Sequence, residues 1–121
     1  RKKNKKLPLP TSGVSMLLFF SLQDINSINI IGYNLYTKKN SDGSYKQHGS
    51  SKLINPYTDE SKPHTIEFDL NLIIFALNKM IINGVKINIY ESDIIQDIFD
   101  LIKDKNSTGK IITKIKSKYY E

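Results

Sequence analysis

The sequence predicts an α/β fold, a parallel sheet with flanking helices, and three observations predict it. Helical and strand-like apolar runs alternate along the chain, in the order helix, strand, long loop, helix, strand, helix. Alternation of this kind is solved by parallel strands joined through helical crossovers. The two clearest strand-like runs, Ser27–Tyr33 and Val85–Tyr90, are short and isoleucine-rich, as buried strands are. Finally, the turn residues fall where such elements must end: Gly13 at a helix start, Gly32 at a strand exit and Gly84 at a helix stop.

Taken in order, residues 1–7 read as a basic tail or linker and residues 8–121 as the α/β part. Pro8 and Pro10 hold the chain extended. Thr11 or Ser12 then offers an N-cap oxygen to a helix over Val14–Gln23. Leu17, Leu18, Phe19, Phe20 and Leu22 leave that helix little polar face, so it is expected to be covered on most sides. After the strand at Ser27–Tyr33, residues 34–61 are polar and carry turn signals at Asn40-Ser41-Asp42-Gly43 and Asn55-Pro56. A loop of that length within a domain is commonly functional. Ser61 or Thr65 caps a helix over about Lys62–Asn83, with Leu70, Ile73, Ile74, Leu77 and Ile81 at helical spacing. Ser92-Asp93 caps a third helix striped by Ile94, Ile95, Ile98, Phe99 and Ile102. Beyond the Asn106–Gly109 turn, Ile111, Thr113 and Ile115 alternate with Lys114 and Lys116, the pattern of a strand at a sheet edge.

Composition narrows the function classes. With 121 residues, 39% hydrophobic and 25% charged, the chain suits one modest globular domain. No run approaches the roughly 18 apolar residues of a membrane span. There is no cysteine, which removes disulfide and thiolate chemistry. Five of the 18 basic residues lie at Arg1, Lys2, Lys3, Lys5 and Lys6, and the other 13 nearly balance 12 acids. The net charge of +6 is therefore largely an end effect, and no central basic face with interleaved aromatics points to nucleic acid. A glancing contact with an anionic membrane surface fits the charged ends equally well.

Candidate chemistry clusters in three places. Thr11-Ser12-Gly13 joins two hydroxyls and a permissive glycine to a helix N-terminus, whose free amides and dipole favour a phosphate. The same turn also reads as an ordinary helix cap. His48 and His64 are the only histidines, and His64 sits at the entrance to the long helix with Glu67 and Asp69 behind it. There the helix dipole favours the neutral imidazole that a general base requires; a surface histidine is the plainer reading. Within a helix His64 and Asp69 would point about 140° apart, so they share a face only if His64 lies outside it. Tyr36 and Tyr45 flank the glycine–serine turn and could hold a departing phosphate through their hydroxyls. Asp42, Asp59 and Glu60 form no metal motif, and no serine-hydrolase or phosphate-loop signature occurs.

The ordered set resembles the bacterial sialyltransferases of glycosyltransferase family forty-two. Pro10-Thr11-Ser12-Gly13-Val14-Ser15-Met16 is similar to the family's threonine–serine–glycine motif, and Ile30-Ile31-Gly32 to its glycine-ended strand. Asn34 and Tyr36, then Gly43-Ser44-Tyr45, then His64 with an acid five residues on at Asp69, follow in the family's order. Lys86-Ile87-Asn88-Ile89-Tyr90 looks like the strand that comes next. The small motifs of animal sialyltransferases are similar too. The resemblance covers about residues 8–92. It implies the C-terminal half of a Rossmann-like domain in a cytoplasmic enzyme, peripheral at most to the inner membrane face. That enzyme transfers sialic acid from cytidine monophosphate (CMP)-sialic acid to a glycan hydroxyl, with inversion, and with no cofactor or metal required.

By that resemblance His64 is the general base and Asp69 supports it. Tyr36 and Tyr45 stabilise the leaving phosphate, while Thr11, Ser12, Gly13, Gly32 and Asn34 hold the donor. The family's arginine two residues before the threonine is Leu9 here, and its aspartate after the strand glycine is Asn34. Those departures leave room for a same-fold transferase of another activated sugar, or for a noncatalytic α/β binding module. The opening at Arg1 suggests a fragment. The family's N-terminal half, a glycine-rich nucleotide turn included, is the expected partner, and without it little activity is expected.

Overall fold

Ile28 and Ile30 on one strand, and Ile87 and Ile89 on another, need a common core, and the computed structural model lays those strands side by side. It describes residues 9–37, 45–47, 50–52, 57 and 64–121. The elements run α1 (Ser12–Ser21), β1 (Ser27–Ile31), β2 (Tyr45–Gln47), β3 (Ser50–Lys52), α2 (Ile66–Ile82), β4 (Lys86–Tyr90), α3 (Asp93–Lys103) and α4 (Thr108–Tyr119). β1 and β4 pair in parallel, from Ser27 opposite Lys86 to Ile31 opposite Tyr90. With α2 between them in sequence they form a βαβ unit, so the protein is mixed α/β with a two-stranded parallel sheet among its described residues.

The core gathers between the sheet and the helices. Leu70, Ile73, Leu77 and Met80 recur down one side of α2 with no exposed surface, each contributing about 1.5–3 kcal/mol through burial. Ile94, Ile95 and Ile98 of α3 and Ile111 and Ile115 of α4 complete that cluster. Thr65, not Ser61, caps α2: its hydroxyl accepts the Phe68 N–H at 3.2 Å. The exit of α2 is a Schellman motif, in which Gly84 N–H bonds Ile81 O, Val85 N–H bonds Met80 O, and Gly84 sits at φ 73°. The end of α3 repeats that geometry without glycine, since Lys105 stands at φ 66° with the equivalent bonds from Lys105 and Asn106.

Three expectations are corrected. Residues 110–117 are not an edge strand but part of α4. Ile111 and Ile115 are four apart, which satisfies one helix face as well as alternate strand positions. Two local signals decide between them: Ser107 accepts the Lys110 N–H as a cap, and Lys116 and Lys118 fall in the last turn, where the dipole favours cations. The long polar loop, read as irregular, contains the antiparallel pair β2–β3, with Tyr45 opposite Lys52. Three-residue strands of Tyr-Lys-Gln and Ser-Ser-Lys are too short to show alternation. Lastly, α1 is not covered on most sides. Gly13, Val14, Leu17 and Ser21 face inward, whereas Met16 and Phe19 are each more than half exposed.

Candidate functional site

Asp69 is the centre of the site, and its position follows from the cap at Thr65. Starting α2 at Ile66 places Asp69 in the first turn, facing the core with no exposed surface. A buried carboxylate needs donors, and three supply it. The Thr11 N–H reaches Oδ1 at 3.2 Å, the Thr11 hydroxyl reaches Oδ2 at 2.9 Å, and the Tyr57 hydroxyl reaches Oδ2 at 2.6 Å. Burial nonetheless holds the Asp69 carboxyl above its ordinary range, against the hydrogen bonds from Tyr57 and Thr11. The Tyr57 phenol is pushed up strongly by burial and by the adjacent Asp69, and stays a neutral donor.

This clamp determines what the Thr11-Ser12-Gly13 turn can offer. Thr11 occupies the N-cap position of α1 but makes no side-chain cap, because its hydroxyl is committed to Asp69. The amides at the start of α1 are therefore left without a capping side chain. Beside them Gly13 is buried and Ser12 exposed.

His64 lies just outside α2, ahead of the Thr65 cap, which meets the condition for it to approach Asp69. Its direct partner is different: Nδ1 is 2.8 Å from the Leu9 carbonyl oxygen. A carbonyl can only accept, so Nδ1 carries the proton and the neutral ring presents Nε2 as its basic nitrogen. Leu9 thus contributes through its backbone carbonyl.

The sheet end supplies the second wall. β1 leaves through Gly32 at φ 71°, whose N–H bonds Tyr90 O at 3.0 Å. The Tyr33 N–H donates to Ser92 Oγ at 2.6 Å, and that hydroxyl donates to Tyr90 O, so Ser92 joins the two strand ends instead of capping α3. Asn34 is buried with its Nδ2 3.4 Å from Gly32 O. Leu35 and Tyr36 follow at φ 50° and 61°, closed by the Thr37 N–H on Asn34 O at 3.0 Å.

Tyr36 is 7% exposed, and its ring meets Tyr57 edge-on at 5.6 Å. The structure therefore joins Tyr36, Tyr57, Asp69 and Thr11 in one chain of contacts, with His64 tied to the same turn through Leu9. Gly32 and Asn34 sit at its sheet-end margin. Tyr45 belongs to β2, but its side chain, like His48, Asp42, Asp59 and Glu60, lies outside the described residues. Sequence reasoning missed Tyr57 and Tyr120. Both lie outside any periodic pattern: Tyr57 shows only the preceding Asn55-Pro56 turn, and Tyr120 only its neighbour Tyr119. Among the described residues no group of three His, Asp or Glu is placed to hold a metal ion, and no helix is long and apolar enough to cross a membrane. The chain matches no family model, no curated protein and no solved structure.

Proposed function

We propose that this chain is the C-terminal half of a Rossmann-like sialyltransferase domain, acting on CMP-sialic acid in the cytoplasm or at its membrane face. The observation that carries the reading is the His64–Leu9 hydrogen bond. It leaves Nε2 as the basic nitrogen of a histidine tethered to a turn with uncapped helix amides. In the proposed reaction an acceptor sugar hydroxyl attacks the anomeric carbon of the donor. The bond from that carbon to the phosphate oxygen breaks, cytidine monophosphate departs, and the hydroxyl proton passes to His64 Nε2. Displacement from the opposite face inverts the configuration. The α1 amides, Ser12 and Gly13 bind the phosphate region, Gly32 and Asn34 shape the donor wall, and Tyr36 and Tyr45 steady the leaving group.

The exposed Met16 and Phe19 on α1 suit cover by the other half of the domain. The uncharged Leu9 and Asn34 support a second reading, a transferase of another activated sugar on the same scaffold. Transfer from CMP-sialic acid by the longer parent chain tests the proposal. His64→Ala is expected to lower the transfer rate by roughly 10²–10⁴-fold while leaving the melting temperature nearly unchanged. Undiminished transfer by that variant would remove His64 as the base.

A further inference from the structure

The C-terminal end of α4 reaches back to the sheet end, outside the stretch that the family resemblance covers. The Tyr120 hydroxyl donates to the Leu35 carbonyl at 2.7 Å, across 85 positions of sequence. Its ring meets Tyr57 edge-on at 6.2 Å. Leu35 and Tyr36 are consecutive non-glycine residues with positive φ, so the Asn34–Thr37 turn adopts the pair of angles that Asn-Gly or Gly-Gly sequences favour. A turn strained in this way persists only where its surroundings over-determine it, and such strain gathers at functional sites. Here Leu35 is fully buried, Asn34 O accepts both the Thr37 N–H and the Thr37 hydroxyl, and Tyr120 takes the next carbonyl. Elsewhere along the same helix Lys116 pairs with Glu67, beside Asp69 on α2. Thus the α4 segment grips the first turn of α2, through Glu67, and the Asn34–Tyr36 turn together.

We propose that Tyr120 is a positioning residue: through the Leu35 carbonyl it holds the strained turn carrying Asn34 and Tyr36, making α4 a strap across the site. Its service to a nucleotide donor rests on the sialyltransferase reading, whereas its hold on the turn does not.

Hydrogen–deuterium exchange on the intact protein separates the two. Tyr120→Phe keeps the ring and removes only the hydroxyl. The Thr37 amide is expected to exchange about five- to tenfold faster in that variant, as loss of one neutral hydrogen bond implies, with α2 and α3 amides unchanged. Tyr119→Phe removes a hydroxyl bound to Asp97 of α3, and should leave the turn at its wild-type rate. Wild-type exchange at Thr37 in the Tyr120→Phe protein would overturn the proposal. So would acceleration spread evenly through α2 and α3, the mark of general destabilisation. With cytidine monophosphate as probe on the same longer parent chain that tests transfer, the wild-type turn should be protected and Tyr120→Phe should weaken binding by a similar factor. Equal binding by both proteins refutes the role in the site. Absence of wild-type binding instead counts against the nucleotide reading, and the exchange comparison then decides the strap alone.

Discussion

Replacing Asp69 by alanine removes the acceptor for three hydrogen bonds at once. Thr11, itself 3% exposed, loses partners for both its N–H and its hydroxyl, and the Tyr57 hydroxyl loses its acceptor. Each buried donor left unmatched costs about 1–3 kcal/mol. The lost desolvation penalty of the carboxylate and water entering the gap offset part of that. A net loss of about 3–5 kcal/mol is expected from the three unmatched donors after that offset. For a chain of this size each kcal/mol moves the melting temperature by roughly 3–6 °C, so the drop should be on the order of 10–30 °C. Asp69→Asn is the informative control. Its oxygen can keep the Thr11 N–H, and the Thr11 and Tyr57 hydroxyls can rotate to accept from its amide, giving a loss of only about 1–2 kcal/mol. Thermal unfolding followed by circular dichroism reads both variants. The clamp is refuted if Asp69→Ala melts within about 3 °C of wild type, or if the asparagine variant is as damaged as the alanine one.

The pH dependence of the same clamp has a definite sign. Because burial raises the Asp69 carboxyl above 3.8, the native state binds that proton more tightly than the unfolded chain. Wild-type melting should therefore gain on Asp69→Asn as pH falls from neutral towards 3.8. Glu67 behaves oppositely, since the Lys116 hydrogen bond lowers it below 4.5. Its contribution is present above that value and lost as pH falls through the folded-state pKa, so the advantage of wild type over Glu67→Gln should shrink in acid. The two helix exits provide a further pair. Gly84→Ala meets open space but keeps φ 73°, and should cost about 1 kcal/mol. Lys105→Gly relieves φ 66° in the same motif and should stabilise by about 0.5–1 kcal/mol. Denaturant titration reads both, and equal signs would contradict the motif assignment.

What was legible in the sequence was what depends on local period and punctuation. Leu70, Ile73 and Leu77 announce α2, Gly84 announces its end, and the isoleucines of Ser27–Ile31 and Lys86–Tyr90 announce the parallel pair. Residues 110–117 misled because isoleucines four apart fit both periods; the Ser107 cap and the lysines of the last turn separate them. Of the candidate site, Thr11, Tyr36, His64 and Asp69 were named, and the structure links them. Their wiring was illegible. That Asp69 serves Thr11 more directly than His64, and that His64 is oriented by the Leu9 backbone, depends on how α1 crosses α2, which no spacing encodes. Tyr57 and Tyr120 escaped for the same reason, since each acts through one hydroxyl on a partner distant in the sequence.

The wiring also changes how the Thr11-Ser12-Gly13 turn can meet a phosphate. The single hydroxyl proton of Thr11 is spent on Asp69, so this residue cannot donate to a ligand without releasing the clamp. Release would leave a carboxylate without exposed surface short of a partner, a cost of about 1–3 kcal/mol that a phosphate contact would have to exceed. Ser12 faces solvent and makes no such commitment in the clamp. The physical division of labour is therefore unequal. Thr11 ties the start of α1 to the start of α2, while the α1 amides and Ser12 are the groups of the turn left outside the clamp.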